Sequence, residues 1–146
     1  MRAILVSGLL KKLYEDFKDR VDIYMVYVIE AHPEGSQNQL GPHYSKCKQH
    51  QGIEDRIDAA KMLVEIDREH ETFTRDIKDA SKVRIVLDNM DNDFHKSFDV
   101  FPDRVVVIED KKLAYHGRRI DEQLSDNVLI ADELRAWFER RFSVNK

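Results

Sequence analysis

Residues 21–29 constrain this chain more than any other stretch. Asp22 alone interrupts a run that is otherwise apolar and mostly β-branched or aromatic: Val21, Ile23, Tyr24, Met25, Val26, Tyr27, Val28 and Ile29. Such a run reads as a strand buried on both faces, hence central in its sheet and parallel to its neighbours. It falls far short of the roughly 20 apolar residues a membrane helix needs. It ends in Glu30-Ala31-His32-Pro33. Open α/β sheets bind ligands at the C-terminal ends of such strands, so polar residues there are candidates for function.

The flanking patterns build an alternating α/β order. Ile4, Leu9, Leu10, Leu13, Tyr14 and Phe17 recur at helical spacing, which predicts an amphipathic helix over residues 2–19. Gly8 inside it costs about 1 kcal/mol; the alternative is a short strand over 3–6 that ends at Ser7-Gly8. Residues 34–52 are polar and turn-rich (Gly35, Gly41, Pro42, Gly52). They read as a long loop or insertion, a kind of segment that tends to be functional. Ile53, Ile57, Ala60, Leu63 and Val64 mark a second helix, with Glu54 and Asp55 at the positive end of its dipole. Residues 67–81 either extend that helix or form an exposed loop. Strands follow at 83–87 and, buried again, at 105–108, with a polar loop over 88–93 between them. Glu109-Asp110-Lys111-Lys112 reads as a hairpin turn into an edge strand over 113–116. After a loop over 117–128, Ile130, Leu134, Trp137, Phe138 and Phe142 form a last helix, with Asp132 and Glu133 placed early.

Length and charge narrow the function classes. A chain of 146 residues fits a single domain, 1–146. Its net charge of −4, with both signs mixed and no basic, aromatic-studded face, argues against a nucleic-acid partner. The first ten residues hold too short an apolar stretch for a signal peptide, so the chain reads as soluble as it stands. Cys47 is the sole cysteine, which excludes an internal disulfide or dithiol pair. Cys47-x-x-His50, with His43 and His32 near, supplies half a zinc site and nothing completes it. Asp88, Asp91, Asn92 and Asp93 lack the glycine and terminal glutamate of a calcium loop and read as a solvated turn. No metal or bound cofactor is expected.

Five segments carry a family resemblance. Val26-Tyr27-Val28-Ile29-Glu30-Ala31-His32-Pro33 resembles the V-Y-I-E-E-A-H-P motif of the iodothyronine deiodinase family. Gln49-His50-Gln51-Gly52-Ile53-Glu54-Asp55-Arg56 resembles that family's Q-H-R-S-L-E-D-R. Val86-Leu87-Asp88-Asn89-Met90-Asp91-Asn92 is similar to V-V-D-T-M-x-N, and Pro102-Asp103-Arg104-Val105-Val106-Val107-Ile108 to P-E-R-L-Y-V-I. Asp132-Glu133-Leu134-Arg135-Ala136-Trp137-Phe138-Glu139 is similar to E-E-V-R-A-W-L-E. The order of these motifs is that of the family, from about residue 20 onward.

The resemblance implies a thioredoxin-like fold: a mixed sheet flanked by helices, with an insertion after the strand that ends at Glu30 and His32. It implies reductive removal of iodine from an iodothyronine or related iodinated phenol, with an external thiol as reductant. The family's nucleophile is a selenocysteine, or a cysteine in some microbial relatives, at the N-terminus of the first helix. A gapless alignment puts Met1 on the residue just after it. The nucleophile and the first central strand are therefore expected to be missing from residues 1–146, as they would be if an in-frame selenocysteine codon had been read as a stop. Family members are commonly anchored by an N-terminal membrane helix and dimerise. A non-catalytic thioredoxin-like module and a peroxiredoxin-like peroxidase are the rival readings.

By the same resemblance, His32 is the candidate for proton relay or phenol contact, and Glu30, two residues before it, for orienting that ring or passing the proton on. His50 is expected to face that cleft from the insertion. Arg119, or Arg118 if the alignment slips by one, is the candidate for holding the substrate. Pro102 stands where thioredoxin folds place a cis-proline. On pattern alone His32 and His50 are more often turn or loop histidines, Glu30 a surface carboxylate, and Arg118 and Arg119 a solvated turn.

Overall fold

The computed structural model describes residues 8–39, 45–119 and 130–143. Its elements are α1 (Leu9–Phe17), β1 (Tyr24–Tyr27), α2 (Ile53–Ile66), β2 (Phe73–Thr74), β3 (Val83–Leu87), α3 (Asp93–Phe98), β4 (Val106–Glu109), β5 (Lys112–His116) and α4 (Ile130–Ser143). β1, β3 and β2 form a parallel sheet in the order β1-β3-β2, and β4 and β5 form a separate antiparallel hairpin. Tyr24 of β1 stands opposite Arg84 of β3, and Tyr27 opposite Leu87.

β1 is parallel, as its composition requires, yet among the described residues it is not buried on both faces. Among the described residues only β3 bonds to it. Tyr24 is 43% exposed, and Met25, Val26 and Tyr27 are half-buried. Arg84 explains part of the apolar run: its guanidinium lies 4.4 Å over the Tyr24 ring and pairs with Asp22 at 2.5 Å. A side chain that is covered by a cation leaves the same apolar signature as one that is covered by a helix. β4 departs in the same sense, because Val106 and Val107 are only half-buried and Ile108 is 51% exposed.

The reading of a helix through Gly8 fails at Gly8 itself. It sits at φ 64, ψ 8 immediately before Leu9, a left-handed conformation that glycine tolerates and that cannot propagate a right-handed helix. Residues 1–7, with the alternative strand at 3–6, lie outside the described residues. α1 then divides two apolar clusters. Tyr14 joins Ala60, Leu63, Phe73, Val83 and Ile85; Leu13 and Phe17 join Leu134 and Phe138 of α4. Leu10 and Ile23 touch both.

α2 begins after Gly52, as its pattern predicts, and Asp55 accepts the amides of Gln51 and Gly52 at 2.7 and 3.1 Å. Those bonds hold the Asp55 carboxyl below its usual range. Residues 67–81 are neither a longer helix nor only a loop. Buried Asp67 accepts the amides of Thr72 and Phe73 at 2.6 and 3.0 Å and turns the chain into β2. The polar stretch after β3 likewise leads into a short helix that its composition does not announce: Asp88 caps α3 by accepting the amides of Phe94 and His95, both at 2.9 Å. The β4–β5 turn has Asp110 and Lys111 at φ 50 and 63, the paired left-handed conformation of a tight hairpin. The Phe101–Pro102 peptide bond is cis.

Candidate functional site

The C-terminal end of β1 and the end of the insertion meet through Gln49. Its side-chain carbonyl accepts the Glu30 amide at 3.3 Å, and its side-chain NH2 donates to the Glu30 carbonyl at 3.2 Å. This two-point clamp holds the backbone of Glu30 beside the start of α2 and brings the next residue, His50, to the Glu30 carboxylate. His50 Nε2 lies 3.6 Å from Glu30 Oε1. Tyr27 donates its hydroxyl to the same carboxylate oxygen. The Tyr27 and His50 rings lie 6.0 Å apart.

The protonation of this group follows from its surroundings. Burial first, then the Glu30 charge, pushes the Tyr27 phenol far above its usual value, so Tyr27 stays a donor. His50 is pulled below its usual 6.5, chiefly by burial, with Glu30 opposing and Arg56 adding to the decrease. Its side chain is only 2% exposed, and Nε2 has no hydrogen-bond partner among the described residues. On its other edge, Nδ1 accepts from Arg56 Nε at 3.3 Å. Arg56 is 1% exposed and also donates to the carbonyls of Asp88 and Asn89 at 2.9 and 2.6 Å, and to Asn92 Oδ1 at 2.9 Å. The site is thus a chain in which half-buried Tyr27 and Glu30 meet buried His50 and Arg56 just beyond the strand end.

The structure joins some of the expected residues and separates others. Glu30 and His50 come together. His32 does not join them: it is exposed, and its Nδ1 meets the Asn38 carbonyl at 2.8 Å. The expectation that Glu30 orients His32 fails because β1 ends at Tyr27, so the strand alternation that would align residues 30 and 32 no longer applies. Arg118 pairs with Glu133 of α4, with Nη2 at 2.6 Å and Nε at 2.7 Å from Oε1. Arg119 is half-buried. Tyr27, Gln49 and Arg56 escaped the sequence reading, although all three stand inside the two motifs that name Glu30 and His50.

Cys47 lies near this group without the character of a nucleophile. Its Sγ is 3.8 Å from Met62 Sδ, and burial, followed by Glu30 and Glu34, raises its thiol. A thiol held protonated is a weak attacker. His43 lies outside the described residues. Among the described residues no three His, Cys, Asp or Glu side chains are grouped to hold a metal. Nor is any helix there long and apolar enough to cross a membrane.

A mixed α/β architecture of helices and small sheets, with acid–base residues at the end of a parallel strand, is consistent with the thioredoxin-like class. The family model described as iodothyronine deiodinase matches residues 6–142. A type II iodothyronine deiodinase of Fundulus heteroclitus is 33% identical over 111 residues, covering 73% of this chain and 37% of that protein. The Homo sapiens type II enzyme is 33% identical over 135 residues, covering 91% and 44%. A thyroxine 5-deiodinase of Gallus gallus is 29% identical over 130 residues, covering 89% and 43%. This chain belongs to the iodothyronine deiodinase family, and it spans less than half the length of these relatives.

Proposed function

We propose that the protein takes part in thiol-dependent reductive deiodination of an iodothyronine or a related iodinated phenol. The observation that carries this is the pairing of buried His50 with the half-buried Glu30 carboxylate, built by the two motifs most particular to the family. In the reaction a selenolate or thiolate takes iodine from the ring carbon, which gains a proton. A first thiol displaces iodide from the chalcogen, and a second releases the disulfide and regenerates the anion. The net change is one C–I bond reduced and two thiols oxidised. Glu30 and His50 are suited to the proton step, since histidine exchanges protons near neutral pH. His32, on the solvent side of the same strand end, is suited to contact the phenol, and Arg119 or Arg118 to hold a carboxylate. No bound cofactor enters; the reductant is an external thiol.

The nucleophile belongs, on this reading, to a segment that precedes residue 1, together with the first central strand of a thioredoxin-like sheet. Two edges support it. Among the described residues β1 bonds only to β3, and β4 only to β5, while Ile23, just before β1, and Val107 of β4 share one apolar cluster. One more strand would join the two sheets. A homodimer and an N-terminal membrane anchor in the intact protein are part of the same proposal.

The test is direct. The coding sequence upstream of Met1 is read for an in-frame TGA or cysteine codon after a strand-coding stretch. The extended protein is then assayed for thiol-dependent iodide release. Release that falls at least tenfold in Glu30→Gln and in His50→Gln supports the reading. An extended protein that turns over peroxide but releases no iodide overturns it.

A further inference from the structure

We propose that Arg56 is a positioning residue: by donating Nε–H to His50 Nδ1 it locks the imidazole as the Nε2–H tautomer and aims its proton at Glu30. This rests on the reading of Glu30 and His50 as the acid–base pair and adds the device that sets its direction.

The argument is one of donors and acceptors. A guanidinium carries five N–H donors and no acceptor. The ring nitrogen facing Arg56 Nε at 3.3 Å must therefore be the bare one, and a neutral ring then carries its proton on the other nitrogen. That nitrogen, Nε2, is buried, has no other partner among the described residues, and stands 3.6 Å from Glu30 Oε1. Arg56 cannot turn away without cost. Its Nη1 binds the Asp88 and Asn89 carbonyls and its Nη2 binds Asn92 Oδ1, so the fork is fixed by the loop between β3 and α3. The Asp88 carboxylate of that loop is itself occupied by the amides of Asn89, Phe94 and His95.

The charged groups around the ring pull in both directions. Glu30 from the end of β1 and Asp55 from α2 favour the imidazolium; burial and Arg56 oppose it, and the balance falls toward the neutral ring. His32 supplies a contrast within the same molecule. Its Nδ1 meets a carbonyl, which only accepts, so His32 carries its proton on Nδ1. The two motif histidines thus hold opposite tautomers.

Long-range proton–nitrogen spectra of the histidine rings in the full chain test this without nucleophile or substrate, so loss of deiodination and failure of this proposal are separable. At neutral pH His50 is expected as a single Nε2–H tautomer and His32 as Nδ1–H. In Arg56→Lys the charge remains but the fork is gone, and His50 is expected to lose its single tautomer. In Arg56→Met it also titrates at higher pH than in the parent. A parent His50 protonated on Nδ1 overturns the proposal, whether or not either variant folds. So does an unchanged single Nε2–H tautomer in a folded Arg56→Lys protein.

Discussion

The end of β1 and the end of β5 both carry charged residues nominated for the site, and they treat charge in opposite ways. At the end of β1, Arg56 is 1% exposed and the His50 side chain 2% exposed, and hydrogen bonds in fixed directions decide which atom holds each proton. At the end of β5, the Arg118 side chain is 39% exposed and paired with Glu133, at 18%. The first arrangement stores a protonation state behind low-dielectric walls; the second is a pair that solvent and salt can weaken. A proton relay needs the former, and a group that must release one carboxylate to take another is better served by the latter.

The hairpin side owes its stability to rings rather than to charges. Phe138 is 3% exposed and meets Phe17 at 4.9 Å and Phe142 at 5.8 Å between ring centres. Phe138→Ala is expected to cost about 3–5 kcal/mol, the range for emptying a buried aromatic site. A denaturant titration checks it. A loss below about 1 kcal/mol would show that α1 and α4 are not held by this cluster and would break the contrast.

On the β1 side the corresponding loss should come from one polar residue. Arg56→Met leaves His50 Nδ1, the Asp88 carbonyl and Asn92 Oδ1 without their donor, while the Asn89 carbonyl keeps the Asn92 amide at 3.0 Å. At about 1–3 kcal/mol for a stranded buried acceptor, with part of the group able to reach water, the expected cost is about 3 kcal/mol. The same denaturant titration reads it, and faster hydrogen exchange at the amides of Phe94 and His95 should accompany it.

Much of this division was legible in the sequence, and the parts that were not have physical reasons. The helices Ile53–Ile66 and Ile130–Ser143, the strand Val83–Leu87 and the hairpin follow from periodicity and turn residues. Glu30 and His50 were nominated by motif, because both stand next to the backbone that folds them together. Arg56 was invisible as a site residue, because an arginine in the first turn of a helix usually points to solvent; only the distant Asp88–Asn92 loop turns it inward. His32 departs from its expected place because strand alternation stops at Tyr27. β2, at two residues, is shorter than any repeat that could announce it, and α3 is created by the Asp88 cap rather than by an apolar stripe.

A smaller effect distinguishes the two regions by pH. His50 is held below its usual value in the fold, so the unfolded chain binds a proton there that the native chain refuses. Its contribution to stability is complete above the unfolded value of about 6.5 and is lost as pH falls from there toward the folded value. Stability should therefore decline on acidification through that window, and His50→Gln should flatten the decline. Denaturant midpoints measured across the window check this. A slope identical in parent and variant would mean that His50 is already solvated.

The smallest expected effect lies at the end of β5 and bears most directly on substrate. Glu133→Gln removes the charge from the Arg118 pair and keeps the shape of the side chain. Because the pair is partly exposed, the loss of stability should stay within about 0.2–1 kcal/mol and shrink further as salt is raised. Tyr115 provides an internal gauge. Burial first, then the Glu133 charge, raises its phenol, and its hydroxyl lies 3.5 Å from Glu133 Oε2. In Glu133→Gln the phenol should titrate at lower pH, readable by ultraviolet absorbance. If Arg118 is the arginine that holds the substrate carboxylate, removing its rival carboxylate should tighten binding of an iodothyronine while leaving that of an uncharged iodophenol unchanged. Equal effects on both ligands would assign the carboxylate to Arg119 and leave Arg118 as a strut between β5 and α4.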